Sequence, residues 1–588
     1  MDYIDKLELQ TEEVKEVETL EKHIITNNKP FSVDKYLGHA EEFLAVDGEY
    51  NDGFNQLNET NGLGISCIVS KEVKEARKDV NGNVHQNLKD RIDIIETSLD
   101  IIKEYYSKNT PEYYGAKGDG ITDDTEALQK CLDSSEYVVL LGKYKFTKKL
   151  YLSNNTIYGY GVGQLILDGE WHDDNSVESR AILNKNFGER YNNPNTIHIN
   201  GVNFMYTNNV MNRDNQPYYY LSLGNTQSSS IINCKFLAPN KTFNSLAFFD
   251  GYGSNRNLIF DKNHIEMKTY GQYGGIWFRQ IGHTDYSSGI RVTNNTIIYS
   301  TADELFGAYA YQGGLKDVVI KNNTFVGLDK AMTNAISICG NDETVSGGYN
   351  TAYLENVVFS DNVCYINETT GKLLQISMEC ESLYIKNIRI LNNRFELLKG
   401  SENTTRMISV YRGEDILIQG NSIKNSSEQN IICLDTRVKG VVFKDNFIEG
   451  KYSNCIRNYG IIENNTFKVE CSEAIFYENE LVKNNYIYPQ NACRICQNTN
   501  DAIPAKFIGN HIETRYPNVI QTLSLDGENL ILGNVVKFLN QPSYLVYVAM
   551  WFDSRTIIKD NIVYGATSDL LTPQNGGMQI SGNVFYKN

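Results

Sequence analysis

Acidic, basic and aromatic residues between positions 250 and 312 form the part of the chain best suited to chemistry. Carboxylates can give and take protons, a guanidinium can neutralise developing negative charge, and aromatic rings offer flat apolar surfaces. The candidate catalytic residues are Asp303, Glu304 and Asp250, with Glu379 in reserve. The candidate substrate-binding residues are Arg279, Trp277, Tyr309, Tyr311 and Arg412.

Three kinds of reaction would use such a set, and the residues leave the choice among them open. Hydrolysis of a glycosidic bond needs one protonated and one ionised carboxyl group, a pair that Asp250 could form with Asp303 or Glu304. Elimination from a uronate needs a base and a cation that stabilises negative charge. On a glycerophosphate polymer, three carboxylates could instead hold a divalent metal that activates water. A divalent metal is therefore one candidate cofactor, and the sequence assigns no ligand to it.

An asparagine-centred phrase recurs from about residue 230 to residue 588. The fold that it predicts must position the candidate side chains. Examples are RVTNNTI around Asn295 and VVIKNNTF around Asn323, and the intervals range from 19 residues (Asn446 to Asn465) to 39 (Asn323 to Asn362). Within each unit, period-2 runs of Val, Ile and Phe flank a bend centred on the Asn. Asn suits that bend because it tolerates the left-handed backbone region and can bond to its counterpart one coil away. The phrase predicts a mainly-β chain built as a single-stranded parallel β-helix.

A charged residue often ends the strand that comes before an Asn phrase. Stacked coils would bring these residues into one rough column of mixed sign. Such a column could bind a charged polymer, or it could be a ladder of surface ion pairs that contribute little to stability. The residues concerned are Asp250, Arg279, Glu379, Arg412, Asp435, Arg457 and Glu478.

Composition and charge argue against several partners. The chain has 55 basic and 72 acidic residues, and the resulting net charge of −17 disfavours nucleic acid. No run of about 18 apolar residues could span a membrane, and the acidic N-terminus is unlike a signal peptide. The 11 cysteines are scattered singly through apolar segments, which indicates reduced core residues made in a cytosol. Cys493 and Cys496 form one C-x-x-C pair, for which a zinc site is the alternative interpretation.

The first 110 residues are charged and poor in the asparagine-centred phrase. Residues 1–70 contain helical stretches and are predicted to be a small attachment domain. Residues 71–110 contain apolar positions at spacings of 4, 3, 4 and 3, namely Leu88, Ile92, Ile95, Leu99 and Ile102. This pattern predicts a short coiled-coil neck, with a trimer favoured and a single packed amphipathic helix as the alternative.

Two motifs resemble parts of phage tail proteins. Residues 71–93, KEVKEARKDVNGNVHQNLKDRID, resemble the junction that introduces a trimeric adsorption module in tail and appendage proteins of phages infecting Gram-positive bacteria. Residues 113–133, YYGAKGDGITDDTEALQKCLD, closely resemble the opening motif of pectate-lyase-like domains in phage tailspikes and preneck appendages. The resemblance implies a right-handed parallel β-helix with its N-terminal cap at 111–150 and its coils at 151–588.

The second motif has a physical explanation that needs no catalysis. Asp123 is expected to N-cap the following helix, with Glu126 completing a capping box. Asp119 and Asp124 are also expected to be structural, and the run 137–152 is expected to form the first coil. The helix would cover the open end of the β-helix with an apolar face made of Ala127, Leu128, Cys131 and Leu132.

The resemblance also implies a function. It implies a virion tail appendage, made in the host cytoplasm, that binds and hydrolyses a host surface glycopolymer such as wall teichoic acid or polysaccharide. The implied partners are that glycopolymer, other tail proteins at the N-terminal domain, and two further copies in a homotrimer. The catalytic pattern of polygalacturonases is not present in the sequence, so the resemblance transfers no catalytic set. A non-catalytic receptor-binding adhesin on the same scaffold is the alternative.

Overall fold

The computed structural model describes residues 107–167, 180–186, 193–207, 219–238, 247–271, 275–280, 286–302, 304–310, 313–331, 334–340, 353–376, 384–401, 404–491, 493–498, 506–515, 518–522, 529–540, 544–548, 556–565 and 578–587. The chain divides into two compact units, Met1–Ile102 and Lys103–Asn588. The predicted attachment domain and coiled-coil seam lie outside the described residues, and every described helix and strand belongs to the second unit.

Three strands per coil wind the second unit into a β-helix. In one coil, Gly314–Lys321, Thr324–Ala331 and Asn334–Gly340 follow one another around the rod. Tyr353–Ser360 then pairs in parallel with the first of these strands and starts the next coil. The strands fall on three faces, which we name A, B and C in the order of that coil, and neighbours on each face are parallel. The predicted right-handed parallel β-helix is confirmed.

Face A is a 20-stranded sheet, and faces B and C form one 31-stranded sheet because two long strands cross both. Face A comprises Tyr137–Val139, Thr156–Tyr158, His198–Asn200, Thr226–Gln227, Ser230–Ile232, Asn255–Arg256, Ile259–Asp261, Tyr286–Ser288, Arg291–Thr293, Gly314–Lys321, Tyr353–Ser360, Tyr384–Leu391, Glu414–Gln419, Val442–Lys444, Ile461–Glu463, Leu481–Lys483, Lys506–Ile508, Asn529–Leu532, Thr556–Lys559 and Met578–Ser581. Face B comprises Asp119–Asp123, Lys143–Phe146, Gln164–Leu167, Asn203–Tyr206, Lys235–Ala238, His264–Gly271, Thr296–Ala302, Thr324–Ala331, Val363–Thr369, Arg394–Gly400, Ser422–Asn425, Phe447–Asn458, Thr466–Tyr477, Tyr486–Pro489, His511–Thr514, Val535–Phe538, Ile562–Tyr564 and Val584–Tyr586. Face C shares Phe447–Asn458 and Thr466–Tyr477 and adds Leu150–Leu152, Arg180–Asn184, Tyr219–Ser222, Ala247–Tyr252, Ile276–Gln280, Phe306–Ala310, Asn334–Gly340, Lys372–Ile376, Arg406–Val410, Ile432–Thr436, Arg494–Asn498, Asn518–Thr522 and Tyr544–Val548.

Alternation along the strands sends one side of each face into the core. In Arg291–Thr293, for example, only the central Val292 is buried. Inward aromatic rings stack from coil to coil, with ring centroids 6.0 Å apart for Phe325 and Phe359 and 6.2 Å apart for Phe359 and Phe395. Each coil therefore buries its apolar side chains against its neighbours, and the rod gains about 25 cal/mol for each Å² of apolar surface removed from water.

An asparagine ladder runs inside the corner between faces A and B. Oδ1 of Asn323 accepts the backbone N–H of Asn295 at 3.0 Å and its side-chain N–H at 2.9 Å. The same two bonds repeat along the rod through Asn263, Asn295, Asn323, Asn362, Asn393, Asn421, Asn446, Asn465, Asn485, Asn510, Asn534, Asn561 and Asn583. The predicted structural role of these residues is confirmed.

The left-handed residue of the bend is not the ladder asparagine but the residue before it. Asn294 and Asn322 have φ angles of 57° and precede Asn295 and Asn323. The prediction that one asparagine both bends the chain and bonds along the rod was therefore wrong by one position. In the first predicted unit, Asn233 is the bend residue with a φ of 55°, and the ladder position is held by Cys234.

A helix covers the N-terminal end of the β-helix. A 3-10 helix, Pro111–Tyr114, comes first, and α1, Thr125–Ser134, follows. Leu128 and Leu132 of α1 line an apolar interior space with Leu140 and Leu152. The residues predicted for the apolar face of α1 are buried, and the run 137–152 supplies one strand to each face, so it forms a first coil as predicted.

The capping details of α1 differ from the prediction. The N-cap residue is Asp124, whose buried carboxylate accepts the backbone N–H groups of Lys117 at 2.7 Å and Gly118 at 3.1 Å. Asp123 instead accepts the Thr125 backbone N–H at 3.1 Å and the Thr147 hydroxyl at 2.6 Å. Both carboxylates tie the loop to the helix and the first coil, which is the structural role expected of them.

The nine described cysteines are buried and form no disulfide with one another. Burial raises the pKa of Cys496 to about 12, so its thiol stays protonated at neutral pH. Cys493 and Cys496 pack in the core and behave as small apolar side chains. In the described ranges, no helix combines the length and apolar character needed to cross a bilayer.

Candidate functional site

A register column of polar, small and aromatic residues runs along face C. Successive strands pair so that each member is the partner of the next, in the order Ser222, Asp250, Trp277, Gly307, Ser337, Gln375, Ser409, Asp435 and Arg457. On either side of Ser337, Ile336 and Ile338 belong to the core. The described side chains of the column therefore lie on the outer side of face C, and loops follow several of these strands.

Glu304 is held on this outer surface by two hydroxyl groups. Oε1 of Glu304 accepts hydrogen bonds from the hydroxyls of Tyr309, on the same coil, and Ser337, on the next coil. The backbone is fixed at both edges, because Gly275 N–H donates to the Glu304 carbonyl at 2.9 Å and Leu305 N–H donates to the Ala335 carbonyl at 2.8 Å. With only 5% of its surface exposed, Glu304 is a buried carboxyl group with a fixed orientation.

Gly307 allows Tyr309 to reach Glu304. A Cβ atom at position 307 would overlap the Tyr309 ring and come within 3.1 Å of Oε2 of Glu304. The sequence ELFGAYA thus places the small residue where an acid and a ring must approach each other. Oε1 carries both hydroxyl bonds, and Oε2 lies on the Gly307 side.

Aromatic rings extend this cluster over the three preceding coils. Trp277 meets Tyr309 edge to face with ring centroids 6.2 Å apart, and Tyr219 lies 6.4 Å from Trp277. The Arg180 guanidinium sits 5.1 Å from the centroid of the Tyr219 ring. Trp277 and Tyr309 are each only 8% exposed, so their rings are packed in the cluster and do not form an open stacking platform.

Cys339 borders the cluster but is not a nucleophile. Burial raises the pKa of the Cys339 thiol well above its ordinary value. The thiolate is the reactive form of cysteine, so this side chain stays inert at neutral pH. The chemistry available in the described part of the cluster is that of one carboxyl group and its hydroxyl partners.

The structure brings together three of the predicted site residues, Trp277, Tyr309 and Glu304. Asp250 and Arg279 are placed by backbone register alone, and Arg279 is the strand partner of Tyr309. The residues Asp303, Tyr311 and Glu379, with His283 and Asp285 of the same stretch, lie outside the described residues. Ser337 and Gly307 were missed, although small residues inside the apolar runs NAISICG and ELFGAYA were a readable signal.

The predicted column of charged residues forms only in part. Asp250, Asp435 and Arg457 share one register column, whereas Arg279 lies two residues further along its strand. Between Asp250 and Asp435 the column holds the uncharged residues Trp277, Gly307, Ser337, Gln375 and Ser409. The column is therefore largely neutral. Asp435 forms an ion pair with Arg406 of the neighbouring strand at 2.6 Å.

Arg412 lies away from the Glu304 cluster. It follows the strand Arg406–Val410, which is three coils beyond Phe306–Ala310, at about 14 Å along the rod. There it lines a concave surface with Tyr411, Arg437 and Lys439. No sequence pattern singles out Arg437 and Lys439, because they stand in a corner loop that has no periodicity.

Among the described residues, no set of side chains around Glu304 is suited to hold a metal ion. No group of three or more His, Cys, Asp or Glu side chains in the described ranges is arranged to hold one. The described neighbours of Glu304 are hydroxyl groups that donate to it, and hard divalent cations prefer several oxygen acceptors. A divalent metal remains a prediction to which the sequence assigns no ligand.

No protein-family model and no curated protein sequence matches the chain. Solved structures of similar fold include the Streptococcus pneumoniae surface adhesin PfbA, with 13% identity, a TM-score of 0.32, and coverage of 81% of this chain and 97% of that one. A mutant tailspike protein of E. coli bacteriophage HK620, in complex with a pentasaccharide, has 9% identity and a TM-score of 0.41 over 87% of this chain and 81% of that one. An exopolygalacturonase from Thermotoga maritima has 14% identity and a TM-score of 0.34 over 59% of this chain and 88% of that one. The structural neighbours of this chain are thus phage tailspikes and other β-helix proteins, and the likeness is one of fold.

Proposed function

We propose that the chain is a phage tail appendage that adsorbs to its host by binding and hydrolysing a surface glycopolymer along face C. The motifs at 71–93 and 113–133, which resemble those of phage tail proteins, support this role and a location in the virion tail. Residues 1–70 would attach to other tail proteins, and residues 71–110 would hold a homotrimer. Wall teichoic acid or a polysaccharide is the proposed polymer. The observation that carries the proposal is the buried Glu304 held beside Trp277 and Tyr309 on an outer face of the rod.

Hydrolysis of a glycosidic bond needs a second carboxyl group, and the strand register supports Asp250 in that role. Asp250 pairs with Trp277, and Trp277 pairs with Gly307, so the backbone of Asp250 lies two coils, about 9.5 Å, from that of Gly307, a spacing that would let its carboxyl group approach Glu304. Inverting glycoside hydrolases hold their two carboxyl groups roughly 6.5–9.5 Å apart, which leaves room for the attacking water. Asp303 and Glu379 remain proposed alternatives for the same role.

The hydrogen bonds of Glu304 support its role as the general acid. A protonated carboxyl group can accept both hydroxyl bonds at Oε1 and keep its proton on Oε2. That proton would pass to the glycosidic oxygen as its bond to the sugar breaks, while Asp250 takes a proton from the water that attacks the sugar carbon. Trp277 and Tyr309, with Arg279 and Tyr311 as further proposed contacts, would border the sugar rings.

A receptor-binding adhesin that cuts nothing is the second candidate function. The observation in its favour is that Glu304 already binds two hydroxyls, which is also how a purely structural buried carboxyl group is satisfied. In this alternative the polymer binds to the same side of face C and is not cut. The two functions share the ligand and differ in whether the polymer is shortened.

The test is incubation of the purified full-length chain with cell walls of a susceptible host, with and without EDTA, and mass spectrometry of the released fragments. Glu304→Gln should keep the fold and lower the fragment yield by about 10²–10⁴-fold, the usual contribution of a general acid. Glu368→Gln, an acid on face B paired with Lys399, is the matched control and should release fragments normally. Retention on walls without fragments from the unaltered chain would establish the adhesin. Full activity of Glu304→Gln would remove Glu304 from the mechanism.

A further inference from the structure

A second concave surface lies at the corner where face C ends and the chain turns to face A. It is lined by Tyr411, Arg412 and Gly413, which follow the strand Arg406–Val410, and by Arg437, Val438 and Lys439, which follow the strand Ile432–Thr436. Its volume is about 570 Å³. This surface, termed the basic depression, carries three cationic side chains within two neighbouring corner loops.

The two loops of the basic depression are stacked in register. Tyr411 N–H donates to the Ile376 carbonyl at 3.3 Å, and Arg437 N–H donates to the Val410 carbonyl at 2.9 Å. The parallel ladder therefore continues past the strand ends and fixes the backbone from which the cations project. An anion at this place would meet groups whose positions are largely set before it binds.

Aromatic rings hold the cations in place. The Arg437 guanidinium lies 4.8 Å from the centroid of the Tyr411 ring, and Lys372 Nζ lies 5.4 Å from it. Lys439 Nζ lies 5.5 Å from the centroid of the Tyr459 ring on the next coil. Contact with a ring face restricts a cation and does not remove its charge.

Four acidic side chains of the described ranges stand near the basic depression, and two of them pair with other arginines. Asp435 pairs with Arg406 at 2.6 Å, and Asp415 pairs with Arg389 at 2.7 Å. Two further acids stand close in sequence or space: Glu414 is exposed beside Gly413, and Glu480 accepts the Gly440 N–H at 3.1 Å. None of the six residues that line the depression is acidic, although the whole chain carries a net charge of −17.

We propose that the basic depression binds an anionic group of the glycopolymer, a phosphate or a carboxylate, and therefore that the polymer is a polyanion. The inference rests on the proposed function for the polymer itself and adds the chemical class of its repeating unit. Arg412 and Arg437 would bind the anion through their planar guanidinium groups, which match two oxygens at once, and Lys439 would act as a point charge.

The basic depression and the Glu304 cluster are linked by the outer column of face C. The outer column leads from Ser337 through Gln375 to Ser409, which lies two residues before Tyr411. The hydroxyl oxygen of Ser409 is buried without a hydrogen-bond partner in the described ranges. The two sites are three to four coils apart, about 14–19 Å, so one polymer lying along face C would contact both.

The test is isothermal titration calorimetry of the full-length chain with inorganic tripolyphosphate, inorganic phosphate and D-glucuronate at constant ionic strength. The double variant Arg412→Ala/Arg437→Ala should bind tripolyphosphate at least about tenfold more weakly, since each lost hydrogen bond to a charged group is worth about that factor. The matched control is Arg394→Ala/Lys399→Ala, which removes two cations of face B that are each 66% exposed. Its affinity should equal that of the unaltered chain, and thermal melts should show that both double variants fold.

The three anions distinguish a phosphate polymer from a uronate polymer, and the variants distinguish failure of the anion site from failure of the proposed hydrolysis. Tighter binding of the phosphate probes would indicate a phosphate polymer, and tighter binding of glucuronate a uronate polymer. Failure of the unaltered chain to bind any of the anions, or an equal loss in both double variants, would overturn the proposed anion site. Glu304→Gln should bind the probes normally, so a failure of the hydrolytic function would leave this result intact.

Discussion

Ser337 donates its hydroxyl hydrogen to Oε1 of Glu304 from the neighbouring coil of the rod. The bond joins Ser337, in the strand Asn334–Gly340, to the residue two positions before the partner strand Phe306–Ala310, and both side chains are almost fully buried. Because Tyr309 donates to the same oxygen, the carboxyl group is fixed from its own coil and from the next. The outer surface of face C is therefore organised around Glu304.

Ser337→Ala should lower the free energy of unfolding by about 1–2 kcal/mol, since it removes one partner of a buried carboxyl group. Ser409→Ala is the matched control, because Ser409 is equally buried in the same column and its oxygen has no hydrogen-bond partner in the described ranges. Thermal unfolding of both variants measures the difference. Equal effects of the two substitutions would mean that the Ser337 bond contributes nothing.

Gly307→Ala should displace the Tyr309 ring, because the added Cβ atom would overlap it. We expect polymer binding or cleavage to fall at least about tenfold, as the ring and the carboxyl group lose their mutual position. Gly327→Ala is the matched control on face B, where the nearest atom to an added Cβ is 3.4 Å away. Assays of both variants on cell walls, with circular dichroism to confirm the fold, provide the comparison. Normal activity of Gly307→Ala would separate the Tyr309 ring from function.

Asn393→Ala should be among the most destabilising single changes in the ladder interior. Oδ1 of Asn393 accepts two N–H groups of Asn362, at 2.9 and 3.0 Å, and Nδ2 donates to the Phe359 carbonyl at 2.9 Å. Buried groups that lose their partners cost about 1–3 kcal/mol each, so we expect a loss of roughly 2–4 kcal/mol in unfolding free energy. Asn367→Ala, which removes only an exposed bond of 3.2 Å to Asp329, should cost less than about 0.5 kcal/mol. Denaturant unfolding of the two variants gives both values, and a difference below about 1 kcal/mol would contradict the ladder's role.

Sequence periodicity predicts the rod well and the site less well, for a physical reason. The asparagine phrase recurs because each ladder residue must bond to the next. The same motif therefore appears once in every coil and can be recognised in a single sequence. The bend residue and the ladder residue are adjacent, and both are often Asn, as at Asn322 and Asn323, which is why their roles were merged by the prediction. Corner loops such as that of Arg437 and Lys439 repeat nothing, so their proximity to Arg412 depends on the stacking of coils and is invisible in sequence order.

The pH dependence of stability should report the role of Asp123 at the N-terminal cap. Burial alone would raise the pKa of Asp123, but hydrogen bonds from the side chains of Thr125 and Thr147 outweigh it and hold the pKa below the usual 3.8. A depressed pKa in the folded state means that the stabilisation is fully present above about pH 3.8 and is lost as the pH falls through the folded-state value. Asp123→Asn should therefore lower the unfolding temperature by a constant amount between about pH 5 and 8, and the gap to the unaltered chain should close at lower pH. Asp133→Asn, which removes an exposed ion pair of 3.5 Å to Lys185, should leave the unfolding temperature nearly unchanged throughout. A gap for Asp123→Asn that persists undiminished below about pH 3 would show that the carboxylate charge does not stabilise the cap.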